Sequence, residues 1–314
     1  MSFFTPQKYK KNNYLFVLKY LSFFMHLNKN ILLTLCIALF AVTTAFSQSL
    51  MWKVSGKSLK KPSYLYGTIH IQDQRVFNFD STVLLTLASC EAFAMEVLMD
   101  ELDIKQVQES MYLPKGKTLS GILPKEDFAR LDSFCKARIG TSVIFLNTLK
   151  PMFLSSALEQ ASMPTDQEMA LDLYFLQVAR DLGKLCFGVE DYAEQMKALD
   201  ALPLDQQIDM LMKVVDESAG ESEKMYDSLL QAYLAFDFDE MMRFFADTSL
   251  PGEFSIALLD KRNVVMMKKF EALAKTHTLF CAVGAAHLGG DKGLLAMLRK
   301  KGYSVEPVLF DWKK

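Results

Sequence analysis

The apolar positions of this chain follow two periods. Short apolar runs lie toward both ends of the region after residue 50, and each stops at a glycine, a turn or an acid. Between about residues 100 and 247 the apolar positions recur at three and four residues, the spacing of an amphipathic helix. The short runs predict strands at Met51–Val54, Ser63–Tyr66, Ala92–Val97, Lys184–Val189, Leu279–Val283 and Tyr303–Leu309. The polar turn Gly56–Pro62 joins the first two as a hairpin. Helices are expected over Phe79–Ala88, Met169–Leu182 with Gly183 as its cap, Leu204–Val215, Ser222–Tyr233, Phe254–Ala274 and Lys292–Lys301. Pro124 sits near the first turn of another, and the acids at 237–240 suit a helix start. Pro151 and Pro164 are expected to break the pattern. Strands at both ends with helices between them predict an α+β fold. Its mixed central sheet would carry a large helical insertion between its halves.

One stretch organises this pattern. Leu279–Val283 ends at Gly284, His287 follows, and a glycine pair leads into the last helix. Tyr64–Tyr66 ends the same way, in Gly67-Thr68-Ile69-His70. The motif Gly-x-x-His therefore occurs twice, each time just after an apolar strand. Such strand exits are where open sheets place their sites.

Ahead of this region the pattern changes. Ile31–Phe46 is an apolar run of signal-peptide length, preceded by Lys29 and followed by small residues at Ala45 and Ser47. Residues 1–47 read as a signal peptide, with Met25 as the true start, and residues 48–314 as a single domain. This predicts a secreted protein, periplasmic or extracellular. Membrane contact would come only through the leader, were it left uncleaved.

The chain has 314 residues, of which 51% are hydrophobic, enough for an ample core. The formal net charge is −2. Without the five lysines before residue 48, 30 basic residues face 37 acidic ones, a net of −7. No basic stripe exists, which argues against nucleic acid as a partner. Cys90, Cys135, Cys186 and Cys281 are scattered without zinc-ribbon spacing and read as small buried hydrophobes.

Of the four histidines, His26 lies in the leader and His277 in a polar connection. His70 and His287 share the strand-exit pattern. Glu96 sits within the apolar run Ala92–Val97, where a carboxylate needs a partner or a cation. Together, His70, Glu96 and His287 would make a two-histidine, one-carboxylate set suited to zinc, manganese, cobalt or iron. Glu190, at another strand end, is a candidate second carboxylate for proton transfer. Arg262 is a candidate to steady an oxyanion or to orient Glu96.

These residues also carry a resemblance. Trp52-Lys53-Val54-Ser55-Gly56 with Pro62–His70 resembles the opening of the TraB/PrgY/GumN (Tiki-like) proteins, and Val283–Gly290 through Val305 resembles their closing motif. Glu96, Leu171-Asp172, Gly188-Val189-Glu190, Gln195 and Arg262-Asn263 are similar to the pattern between. Ala170 departs from it, where relatives often carry glycine. The resemblance implies a mixed α and β domain with both histidines and the glutamate at one site. Animal Tiki members are divalent-metal-dependent, membrane-anchored peptidases. The wider superfamily is similar to erythromycin esterases and to haem-binding ChaN-like lipoproteins.

The expectation is a metal-dependent hydrolase, a peptidase, holding manganese, cobalt or zinc on His70, Glu96 and His287, with Arg262 and Glu190 in catalytic support. Its partner would be a peptide or small-molecule substrate. The alternatives are a non-catalytic peptide- or haem-binding protein and a metal-independent histidine–glutamate esterase.

Overall fold

Six strands form one mixed sheet. They are β1 (Met51–Ser55), β2 (Ser63–Thr68), β3 (Ala92–Met95), β4 (Leu185–Gly188), β5 (Leu279–Gly284) and β6 (Ser304–Val308). The computed structural model describes residues 49–57, 59–217, 219–247 and 252–313. The expected signal peptide at 1–47, with its start at Met25, lies outside them.

The sheet order is β4-β3-β5-β2-β1-β6. β1 pairs antiparallel with β2, as expected of the hairpin, and with β6. β5 runs parallel to both β2 and β3, and β3 runs parallel to β4. Four neighbouring strands therefore point the same way and finish at one edge. Parallel neighbours need long crossovers, and helices fill the chain between these strands.

Alternate strand residues face opposite sides of the sheet. Tyr66, Phe93, Met95 and Phe280 pack with Leu171, Phe175 and Tyr233 on one side. Leu65, Ala94, Cys281 and Val283 pack with Met266, Phe270, Leu294 and Leu298 on the other. A separate helical core gathers Leu119, Leu131, Cys135, Leu154, Leu158 and Leu211. Cys90, Cys135 and Cys281 are buried and Cys186 half-buried, all as free thiols.

Three expectations are corrected. The helix expected over 254–274 is not continuous. A turn at Gly252–Ser255 passes into a π-helix, Ile256–Lys261, and an α-helix follows at Arg262–Ala274. The Arg262 Nη1 atom donates to the Leu258 carbonyl at 3.2 Å, so the side chain serves a carbonyl of the π segment. Such widened turns are frequent at functional sites. Pro151 does not interrupt a helix but opens one, Pro151–Gln160, at the position where a missing N–H costs nothing. The third strand stops at Met95, so Glu96 falls just beyond its end. Among the described residues no helix is long and apolar enough to cross a membrane.

Candidate functional site

The parallel strands deliver the candidate residues to one edge. β2 leads to His70, β3 to Glu96, β4 to Glu190, and β5 to His287 through the short turn Ala285–His287. Because β3, β5 and β2 are neighbours, Glu96, His287 and His70 are brought side by side. Gly284 is the point where they meet. A Cβ there would lie 3.2 Å from Glu96 Oε1, 3.7 Å from His287 Cδ2 and 3.9 Å from His70 Nε2. Gly67 is also tightly packed, since a Cβ would come within 3.1 Å of Ala285 and Leu288. Close approach therefore demands a small residue at each of these two positions.

Glu96 is held on both oxygens. Its Oε1 accepts from the Gly284 N–H at 2.7 Å, and its Oε2 accepts from Arg262 Nη2 at 2.7 Å. Arg262 in turn grips Glu190 through Nε at 2.9 Å to each oxygen and Nη2 at 2.7 Å. All three charges are buried. Burial alone would raise the Glu96 carboxyl, but the two imidazoles, the Arg262 guanidinium and the Gly284 N–H outweigh it and hold it down to about 2. Glu96 is thus a carboxylate at neutral pH.

Each histidine has a partner at Nδ1. His287 Nδ1 lies 2.7 Å from Asn263 Oδ1, and Asn263 Nδ2 donates to the Lys292 carbonyl at 3.0 Å. That second bond fixes the amide orientation, so Oδ1 accepts and His287 Nδ1 carries the proton. The Nε2 lone pair of His287 is then free, 3.7 Å from Glu96 Oε1. Burial pushes His287 down to about 4, with Arg262 and His70 adding to the shift against the pull of Glu96. His70 Nδ1 sits 3.1 Å from Asp172 Oδ1. There burial pushes the imidazole down, and the Asp172 and Glu96 carboxylates raise it by more. With 60% of the His70 side chain exposed, water screens part of that attraction.

This donor set suits a divalent cation. A hydrogen bond at Nδ1 that leaves Nε2 for the ion, as on His287, is the usual support of a metal-binding histidine, while His70 meets Asp172 as an ion pair. Two tetrahedral ligands about 2 Å from one zinc lie about 3.3 Å apart, close to the observed His287–Glu96 separation. Among the described residues, however, no three His, Cys, Asp or Glu side chains already stand in ligating geometry. Ligation by all three would require one to move. His70, the exposed member, is the freest to do so.

A cavity of about 270 Å³ opens on this cluster. Its floor is Thr68, His70, Glu96, Arg262 and His287, and its walls include Leu199, Leu229, Met241, Leu258 and Leu259. Glu190 is not among its lining residues and lies behind Arg262. His277 is far from this arrangement in contacts, bonding Thr276 and packing on Phe187. The sequence reading did not assign anchoring roles to Asp172 and Asn263. Both sit in the patterned middle of the chain, but no local spacing ties them to His70 or His287.

Fold and site together define an α+β protein with a histidine–glutamate–arginine cluster at the carboxyl edge of its sheet. The chain belongs to the TraB/PrgY/gumN family, whose model matches residues 50–307. Similar relatives include a metalloprotease TIKI homolog of Amphimedon queenslandica, 26% identical over 83% of this chain and 62% of its own length. Metalloprotease TIKI2 of Danio rerio is 25% identical over 85% of this chain and 63% of its own. Metalloprotease TIKI1 of Homo sapiens is 27% identical over 78% and 59%. The chain thus spans about three-fifths of these relatives. No solved structure matches.

Proposed function

We propose that the protein is an exported, divalent-metal-dependent hydrolase that cleaves peptides. His70, Glu96 and His287 would hold manganese, cobalt or zinc. The convergence of these three groups around Gly284 carries the reading. The names of the relatives support the metal and the peptidase class. The leader pattern at residues 31–47 supports export.

A bound divalent ion would supply Lewis acidity and a water of lowered pKa. The chain's own residues prepare the place. Asn263 presents His287 in the tautomer with Nε2 free. Asp172 orients His70. Arg262 keeps Glu96 ionised and aimed at the cavity, and Glu190 balances the charge of Arg262. Arg262 and Glu190 therefore act as positioning residues rather than as proton carriers. The apolar walls reduce water around the reacting groups, which strengthens their electrostatics. A cavity of 270 Å³ is smaller than sites for drug-sized ligands, which disfavours haem as its occupant.

Metal content tests the proposal. The protein from residue 48 is stripped, reloaded in turn with manganese, cobalt or zinc, desalted and measured by elemental mass spectrometry. Near-stoichiometric metal is expected in the wild type and not in His70→Ala or His287→Ala variants that retain the wild-type circular dichroism. Peptide hydrolysis should stop on chelation and return with the ion. A wild type that retains no metal under any loading would overturn the reading.

A further inference from the structure

The separate helical core ends in a tip that turns apolar residues outward. Its turn Val143–Leu146 buries Val143 completely, yet leaves Ile144 64% and Phe145 82% exposed. No large apolar side chain among the described residues is more exposed than Phe145. The backbone is tied in this shape. Asp132 accepts from the Val143 N–H at 3.0 Å and from the Ser142 hydroxyl. Ser142 Oγ accepts from the Ile144 N–H at 3.3 Å, and the Phe145 N–H donates to the Ser142 carbonyl at 3.1 Å. Val143 takes the inward place, so its two neighbours are left to water. A lone exposed apolar residue is ordinary, but an adjacent pair fixed on a protruding turn marks a surface that something covers.

The charge around the tip points to the occupant. Residues 111–150 carry seven basic side chains and three acidic ones, in a protein that is net acidic after residue 47. The loop 114–118 is clamped beside the tip, by the Leu113 N–H on the Thr148 carbonyl and the Leu119 N–H on the Asn147 carbonyl, each at 2.7 Å. It presents Lys115 and Lys117, both exposed and without an ion pair among the described residues. On the other flank Arg138 stands 5.3 Å from the Phe134 ring centre, and Lys136 pairs with Asp132 at 2.6 Å. The acid that ties the turn is thereby neutralised, while Lys115, Lys117 and Arg138 keep their charge uncompensated. A second copy docking tip to tip would bring these like charges together. An anionic bilayer accepts both parts, because its phosphates meet the cations and its acyl boundary takes the apolar pair.

We infer that this tip is a peripheral membrane-docking surface. Ile144 and Phe145 enter an anionic phospholipid bilayer, and Lys115, Lys117 and Arg138 meet its headgroups. The contact is reversible, lies outside the leader and does not depend on the metal site.

Vesicle binding tests it. Gln48–Lys314 is a compact unit by itself, so that part is used, free of the apolar leader. It is sedimented with vesicles of phosphatidylcholine alone and of equimolar phosphatidylcholine and phosphatidylglycerol. The mixed vesicles should bind it about tenfold or more tightly, an advantage that high salt removes. Ile144→Ser combined with Phe145→Ser should weaken binding to the mixed vesicles about a hundredfold. Lys115→Ala combined with Lys117→Ala should weaken it about tenfold. Both pairs lie on the surface and should keep the wild-type circular dichroism. Phe145→Trp should add an indole emission that shifts to the blue on mixed vesicles and is quenched by brominated acyl chains. No wild-type binding to mixed vesicles, unchanged binding by the serine pair, or an added emission that vesicles leave unmoved would overturn the inference. Self-association that the serine pair abolishes would overturn it too, by showing that a second copy covers the tip. Chelation should change none of these readings, so the two proposals stand or fall separately.

Discussion

The two Gly-x-x-His turns are alike in sequence and unlike in the folded protein. His70 follows a strand whose far neighbour is the hairpin partner β1, keeps 60% of its side chain in water, and leans on a carboxylate. His287 follows the strand flanked on both sides by parallel partners, keeps 5%, and leans on a neutral amide. Asp172 therefore raises one imidazole, while burial lowers the other to about 4. One motif yields a solvent-facing cationic histidine and a buried neutral one. Charge state is set by what stands behind the ring, not by the turn that carries it.

The largest effect should fall on what both turns share. Arg262→Met leaves Glu96 and Glu190 buried without their cation, and should lower stability in urea by about 3–5 kcal/mol. A loss under about 1 kcal/mol would show that the two carboxylates do not depend on it. Next comes the asymmetry itself. His287→Ala opens a buried gap and strands the Asn263 carbonyl oxygen, and should cost about 1–3 kcal/mol. His70→Ala should cost less, about 0–1 kcal/mol, because the ion pair it gives up with Asp172 is largely screened by water. Equal losses would break the comparison. Asn263→Ala should then weaken metal retention about 10–100-fold while both histidines remain, as read by competition with a chromogenic chelator.

The smallest effect is in titration. In the metal-free protein, proton resonances of His287 should show a neutral ring down to about pH 4, while His70 stays protonated above the ordinary imidazole value. The unfolded chain binds more protons than His287 between about pH 4 and about 6.5, so this residue's stabilising contribution is lost as pH falls through that window. His70 works the other way, contributing below about pH 6.5 and losing its effect as pH rises toward its raised pKa. Asp172→Asn should return His70 toward its ordinary value and leave His287 where it is. Movement of both would mean that the two rings titrate as one unit.

Much of the fold could be read from the chain. All six strand expectations match their observed spans within a residue or two, because short apolar runs ending in glycine or acid leave few other choices. The break in the helix before Arg262 could not be read. Its residues keep a helical period, and only the packing of Leu258 and Leu259 into the cavity wall distinguishes the π turn. Glu96 was legible as a carboxylate in costly surroundings. Its partner Arg262, 166 residues away, was not fixed by any local rule.

By itself the sequence determined where most of the strands run, that two histidines follow them in matched turns, and that an acid sits in apolar company near Ala92–Val97. Those are local matters of period, turn chemistry and desolvation. The tertiary structure alone decided that β3, β5 and β2 lie side by side. Strand order depends on long crossovers and on how helices cover both faces, and neither leaves a mark in neighbouring residues. That order places residues 70, 96 and 287 around one glycine. The packing behind them then sets Asp172 against one histidine and Asn263 against the other, and so decides which ring is charged.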